Sequence, residues 1–180
     1  MSTPSAAHPE NSPDEMVEEV DRAGNLLRLV TRREMRAGAL RHRSVFVAVV
    51  SENGDLLVHQ RAMTKDVWPG RWDVAVGGVC APGEEWLAAA VREMSEELGV
   101  DGAVIEQIAS GAYDDAEVKL VARVFVCRTD GPFRFADGEI TQAHWVSLAE
   151  FPNWLGAKDF LPDSLALVLP ALGGFATITP

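Results

Sequence analysis

Three carboxylates, Glu93, Glu96 and Glu97, fall at i, i+3 and i+4 in the stretch REMSEELG, residues 92–99. On a helix that turns about 100° per residue, Glu97 lies about 40° from Glu93 and Glu96 about 60° from it, so all three crowd one surface. Like charges at i,i+4 cost a few tenths of a kcal/mol per pair, and anions in a last helical turn oppose the helix dipole by roughly 0.3–1 kcal/mol. Gly99 ends this helix, so both penalties apply. A solvated acidic face tolerates such a cost. The chemical alternative is a seat for Mg²⁺ or Mn²⁺, which bind through a few carboxylates, several waters and phosphate oxygens.

The elements that must position these acids are legible around them. Leu87, Val91, Met94 and Leu98 form an apolar stripe at helical spacing, with the glutamates off that stripe. Pro82-Gly83 marks a turn before the helix, and Glu84-Glu85 sit favourably at its start. Upstream, RSVFVAVVSENGDLLVHQR reads as a hairpin turning at Asn53-Gly54, followed by the loop AMTKDVWPGR and a third strand, WDVAVGG. Downstream, AVIEQIASGAYD and VKLVARVFVCR read as strands, AHWVSLAEF as a short strand entering a loop, and DSLALVLPAL as a closing helix that Pro170 kinks or truncates. Residues 1–15 lack periodicity and are expected to form a flexible tail. The compact domain then spans 16–180 and opens with a hairpin around Ala23-Gly24-Asn25 and a short helix with a Thr31/Glu34 capping box. Mixed strands and helices without repeats predict an α/β fold, an α/β/α sandwich around a mixed sheet.

The chain carries 16 basic and 27 acidic residues, a net charge of −11. That balance argues against a nucleic-acid polymer or an anionic membrane as partner, and an anionic substrate would need cations supplied locally. Cys80 and Cys127 have neither CxxC spacing nor the density of a disulfide scaffold, which favours a reducing interior. Pro170 and Gly173-Gly174 interrupt the apolar segment 165–178, so neither a spanning helix nor an export signal is expected and a cytoplasmic location is. The same segment is a candidate surface for a homodimer.

Written from its first glycine, GVCAPGEEWLAAAVREMSEELGV (78–100) has the form G-x5-E-x7-R-E-U-x-E-E-x-G-U, where U is apolar. This resembles the Nudix box at every defined position. The resemblance implies a Nudix fold in which Glu93, Glu96 and Glu97, with the backbone carbonyl of Gly77, hold Mg²⁺ or Mn²⁺. It also implies structural roles for Gly78, Glu84, Arg92 and Gly99, Glu84 and Arg92 pairing to hold the loop against the helix. Of the five tryptophans, Trp68, Trp72, Trp86, Trp145 and Trp154, any could stack a base, although packing is the usual role of each.

A second stretch, LLVHQRAMTKDVWPGRWD (56–73), is similar to the R-x-x-x-K and W-P-G-x-W segment of isopentenyl-diphosphate isomerases and isomerase-like Nudix proteins. The resemblance implies that Arg61 and Lys65 contact a substrate diphosphate, the local cations that the acidic chain requires. The cysteine that isomerases use for proton transfer is replaced here by Gly77, and their nearby metal-site histidine by Val79; Cys80 lies three residues late. His42 matches another isomerase metal-site histidine, but a lone histidine at the start of a strand is usually structural.

The expected function is Mg²⁺-dependent hydrolysis of a diphosphate linkage in a nucleoside diphosphate derivative or another small X-linked diphosphate. Arg61 and Lys65 would bind the phosphate, and Glu93, Glu96 or the downstream Glu139 would act as base. Two other readings stand beside it: a non-catalytic Nudix ligand-binding regulator, and an isopentenyl-diphosphate isomerase, which the loss of the cysteine disfavours.

Overall fold

The computed structural model describes residues 12–175. The expected tail over 1–11, and residues 176–178 of the apolar segment, lie outside the described residues. The last part of that tail is held in place: Arg32 N–H donates to Glu15 O at 2.7 Å, Arg33 N–H to Pro13 O at 2.9 Å, and the Arg32 guanidinium pairs with Glu15 at 2.7 Å.

Strands β1 (Met16–Val20) and β2 (Leu26–Thr31) form a separate antiparallel hairpin leading into helix α1 (Arg32–Ala37). The capping box at its start is complete. Thr31 Oγ1 accepts from Glu34 N–H at 3.2 Å, and Glu34 Oε2 accepts from Thr31 N–H at 2.8 Å. Val17, Val30 and Met35 bury this unit against Val79.

The main sheet is mixed and has seven strands: β3 (His42–Val50), β4 (Leu56–Arg61), β5 (Trp72–Asp73), β6 (Val76–Val79), β7 (Ile105–Asp114), β8 (Lys119–Arg128) and β9 (Ile140–Val146). β3 is its axis. It runs parallel to β8 from His42↔Leu120 to Val50↔Arg128 and antiparallel to β6 from Ser44↔Val79 to Val47↔Val76. β3 meets β4 only at Val50↔Leu56, so β4 diverges with β5 and β9 as its partners. That divergence opens a cleft between the β4 and β6 branches.

Both faces of β3 are covered, which is why its sequence is almost continuously apolar. Phe46, Ala48 and Val50 enter a core shared with α3 (Phe151–Ala157) and α4 (Pro162–Phe175), while Val45, Val47 and Val49 enter a second core under α2 (Trp86–Leu98). The result is the expected α/β/α sandwich with a mixed sheet. Burial of Met94 and Leu98, each worth about 1.5–3 kcal/mol, fixes α2 on its face.

Four expectations need correction. Only half of the apolar stripe predicted for α2 is buried: Met94 and Leu98 are, but Leu87 and Val91 are 51% and 43% exposed, and the buried face is completed by Ala89, Ala90, Glu93 and Glu97. Two glutamates therefore lie on the packed face. Gly78 leaves the room that Glu93 fills, as described below. The predicted strand WDVAVGG is two strands, because Asp73 Oδ1 accepts from Val74 N–H at 2.7 Å and Ala75 N–H at 3.3 Å and turns the chain between β5 and β6. Pro170 does not truncate α4, which continues to Phe175; the proline and Ala166, whose carbonyl loses its partner, both face solvent. α3 had no expected counterpart. Val168 and Leu172 of α4 lie in the protein's own core, which removes part of the apolar surface that suggested a dimer.

Candidate active site

α2 ends as its sequence requires. Gly99 adopts φ 65°, and its N–H returns to Ser95 O at 2.9 Å, so the last turn closes with the glutamates held above it. The approach of helix to sheet depends on the two glycines of β6. A Cβ on Gly78 would lie 2.4 Å from Glu93 Oε1, and one on Gly77, at φ 153°, would lie 2.0 Å from the backbone oxygen of Val45. Gly78 thus makes space for a carboxylate. Gly77 has no space for any side chain, including a cysteine.

Arg92 organises this wall. Its Nε and Nη2 donate to Glu84 Oε1 and Oε2 at 2.9 and 3.0 Å, its Nη1 to Glu93 Oε1 at 2.9 Å and Glu96 Oε2 at 3.1 Å, and Nη2 also reaches Val79 O at 3.3 Å. Glu84 Oε2 in turn accepts from Ala81 N–H at 2.8 Å, which pins the loop to the helix. Burial works against the Arg92 charge, but Glu84 and Glu93 outweigh it and hold its pKa above the ordinary guanidinium value.

Glu93 and Glu97 are only 8% and 5% exposed. Burial is the main reason the Glu93 carboxyl rises to about 7, opposed by Arg92 and assisted by Glu96. Glu97 is raised well above the ordinary carboxylate range, by burial and then by the Glu93 charge. Among the described residues no hydrogen bond or ion pair reaches Glu97. A desolvated carboxylate beside another carboxylate and lacking a partner is stabilised by a proton or by a cation.

The opposite wall comes from the 62–71 loop, β4 and the turn before β9. Lys65 Nζ pairs with Glu139, and Asp137 holds that turn by accepting from Glu139 N–H at 2.9 Å. Arg61 Nη2 donates to Val67 O at 3.2 Å, while its buried Nε has no hydrogen-bond partner. Arg61, Lys65, Gly77, Gly78, Arg92, Glu93, Glu96, Glu97 and Glu139 all line one cleft, enclosing about 1020 Å³ including its open mouth. Glu84 and Gly99 stand behind it, holding the loop and the helix end.

Asp73, Asp163, Asp66, Arg32 and Arg36 also line the cleft and were missed from the sequence. They arrive from the N-terminal unit, the 62–71 loop, β5 and the start of α4, and only Asp66, directly after Lys65, and Asp73, directly after Trp72, had a signal nearby. Of the tryptophans, Trp68 alone lines the cleft. Trp72 packs with Trp154 and Phe160, Trp86 lies under the guanidinium of Arg43 at 4.2 Å, and Trp145 sits beside Phe133. His42 also reaches the cleft, but burial and then the Arg36 charge lower its pKa to about 4, and its ring donates from Nδ1 to Leu40 O at 3.0 Å.

The donor set fits a hard divalent cation in chemistry: carboxylate oxygens on a rigid helix, one of them without a partner. It is not drawn together into a finished cage, since no group of three His, Cys, Asp or Glu side chains converges on a metal position among the described residues. The reason is visible in Arg92, which holds an oxygen of both Glu93 and Glu96.

The NUDIX domain family matches residues 40–164. The chain belongs to the Nudix family. A Nudix hydrolase of Yersinia pestis is 34% identical over 153 residues, covering 84% of this chain and 82% of that one. A Pseudomonas aeruginosa Nudix hydrolase is 32% identical over 159 residues, covering 88% and 94%. A Deinococcus radiodurans crystal structure shares the fold at a TM-score of 0.72 and 24% identity, covering 83% of this chain and 94% of its own. The NUDIX domain of Shewanella oneidensis NrtR, complexed with ADP ribose, shares it at a TM-score of 0.61 and 17% identity, covering 82% and 99%. The chain is thus a Nudix-type hydrolase of pyrophosphate bonds, in a family that generally uses divalent metals such as Mg²⁺. No helix among the described residues is long and apolar enough to cross a membrane.

Proposed function

We propose that this Nudix protein hydrolyses the diphosphate linkage of a nucleoside diphosphate derivative, or of another small X-linked diphosphate, in the presence of Mg²⁺ or Mn²⁺. The observation that carries the reading is Glu97, buried beside Glu93 with no partner of its own. Glu93, Glu96, Glu97 and the Gly77 carbonyl would hold the cation. When bound, it would supply positive charge to phosphate oxygens and acidify water. Arg61 and Lys65 would bind the phosphates, the orphaned Arg61 Nε providing a donor already desolvated and fixed in place. Glu93 or Glu96 would take the proton of the attacking water, with Glu139 the alternative across the cleft. Gly78, Glu84, Arg92 and Gly99 would keep the wall in shape.

The Arg61, Lys65 and W-P-G-x-W segment supports a place in the isomerase-like branch, but without isomerase chemistry, because Gly77 has no room for a side chain. The buried thiols of Cys80 and Cys127 suit a reducing cytoplasm. One observation favours the alternative of a ligand-binding regulator: the hold of Arg92 on Glu93 and Glu96. The deciding experiment measures phosphate release from nucleoside diphosphates, nucleoside triphosphates, nucleotide sugars and isoprenoid diphosphates with Mg²⁺. Turnover that disappears in Glu97→Gln is expected; binding without turnover of any of them would establish the regulator instead.

A further inference from the structure

Three side chains that line the cleft, Glu15, Arg32 and Arg36, come from the N-terminal unit, ahead of the residues 40–164 that match the family. Arg32 turns back to Glu15, but Arg36 reaches out of the unit. Its Nε donates at 2.8 Å to Oδ2 of Asp66, in the 62–71 loop on the facing wall. The Arg36 side chain is 24% exposed, and a pair so placed is screened less than one in open water. Burial works against the Asp66 charge, but Arg36 outweighs it and holds that carboxyl below its ordinary value.

The loop needs such outside support. Its own backbone contacts are long: Lys65 N–H reaches Ala62 O at 3.3 Å, Gly70 N–H the same oxygen at 3.4 Å, and Arg71 N–H reaches Trp68 O at 3.4 Å. Trp68 is kept at φ 46°, a left-handed conformation that is costly for a bulky side chain. The centre of the loop is held instead by three side chains acting on three successive residues. Glu139 takes Lys65, Arg36 takes Asp66, and Arg61 Nη2 takes the carbonyl of Val67.

Two of these three tethers involve the cations proposed for the phosphates. When Lys65 and Arg61 turn to substrate oxygens, Glu139 and the Val67 carbonyl lose part of their hold on the loop, and the pair of Arg36 with Asp66 is the tether that substrate does not draw upon. We infer that Arg36 is a positioning residue: by holding Asp66 it fixes the loop that carries Lys65 at the phosphate site, and it keeps the acid beside Lys65 from neutralising that lysine. The N-terminal unit thereby becomes a part of the substrate site. The inference rests on the proposed binding of phosphate by Lys65, and not on turnover.

Charge alone and tethering predict opposite signs. If Asp66 acted only through its charge, removing it from beside Lys65 would strengthen anion binding; as the anchor of the loop, its removal weakens binding. Calorimetric titration of the intact protein with Mg²⁺ and methylene bisphosphonate, a diphosphate mimic that cannot be hydrolysed, should show affinity about tenfold lower in both Arg36→Met and Asp66→Ala, with no further loss in the double variant. Arg36→Lys, which keeps a cation on Asp66, should recover most of the affinity, and hydrogen exchange at the 62–71 amides should quicken in Arg36→Met and Asp66→Ala. With a diphosphate that turns over, the same two variants should raise KM and leave kcat within about twofold.

Binding by Asp66→Ala as tight as that of the unmodified protein would overturn the inference, and so would additive losses in the double variant, which would put Arg36 on the ligand itself. If Arg36→Met does not fold, Asp66→Ala, on the more exposed side of the pair, decides by the same sign. Failure of every diphosphate to turn over, with the variants still binding the mimic more weakly, would sink the hydrolase reading and leave this one standing. Turnover with equal affinities for the mimic throughout would do the reverse.

Discussion

On the α2 wall of the cleft, charge is organised from within: Arg92 reaches Glu84, Glu93 and Glu96, and only Glu97 is left over. On the facing wall the leftovers dominate. Among the described residues Arg61 Nε has no partner, and the buried Asp73 and Asp163 carboxyls are held by backbone N–H groups with no cation paired to them. Buried polar groups are nearly always satisfied, and those that are not commonly mark a function. The contrast therefore separates a wall built chiefly to hold its own geometry from a wall built to receive something. Substitutions on the first should damage turnover, and folding as well where they break the Arg92 network, and those on the second should alter substrate affinity with little loss of stability.

The sharpest test of the first half is Glu97→Gln, which keeps shape and removes charge. Loss of about 10³-fold in kcat, roughly 4 kcal/mol, is expected in a phosphate-release assay, with a circular dichroism melt near neutral pH no lower than that of the unmodified protein, because burial disfavours the charge removed. Next comes Arg92→Met. Leaving Glu84 and Glu93 without their cation should cost about 3 kcal/mol in urea unfolding, the low end for a buried pair because the guanidinium is partly exposed. On the facing wall, Arg61→Ala should raise KM by about 10–100-fold, roughly 1.4–2.7 kcal/mol, while unfolding stability stays within about 1 kcal/mol. Equal losses of kcat and stability there would erase the distinction between the walls.

The smallest effect concerns pH. The Asp163 carboxyl rises from 3.8 to about 7 on burial, with Asp73 nearby, so the folded chain holds its proton more tightly than the unfolded chain. Stability from this group is complete below about pH 4, falls as pH rises through that window and levels off above about 7. Asp163→Asn should flatten the fall and stabilise the protein at pH 8 by about 1 kcal/mol, roughly 2–4 °C in Tm.

The two walls also differ in how much of each could be read from the sequence. The α2 wall announces itself because its constraints are local: a helix terminator, glycines and charges at fixed spacing over residues 78–100. Even there the buried face was misjudged, since periodicity counts Leu87 and Val91 as core and has no means of knowing that Gly78 admits the Glu93 carboxylate. Arg61 and Lys65 were legible only through resemblance. Asp73 and Asp163 lie ninety residues apart and mean nothing until β5 and α4 bring them to one recess. Sheet topology carries that information, and hydrophobic patterning does not.

The first hairpin has an outcome for anyone trimming the chain. Glu18 accepts from Gly83 N–H at 2.8 Å and from Arg43 Nη1 at 3.0 Å, and Arg43 Nη2 continues to Glu84 O at 2.8 Å. A fragment cut to residues 40–164, where the family match begins and ends, would discard the brace on the very turn that introduces α2. For crystallisation, labelling or fusion, the boundary suggested by homology is thus the wrong place to make the incision.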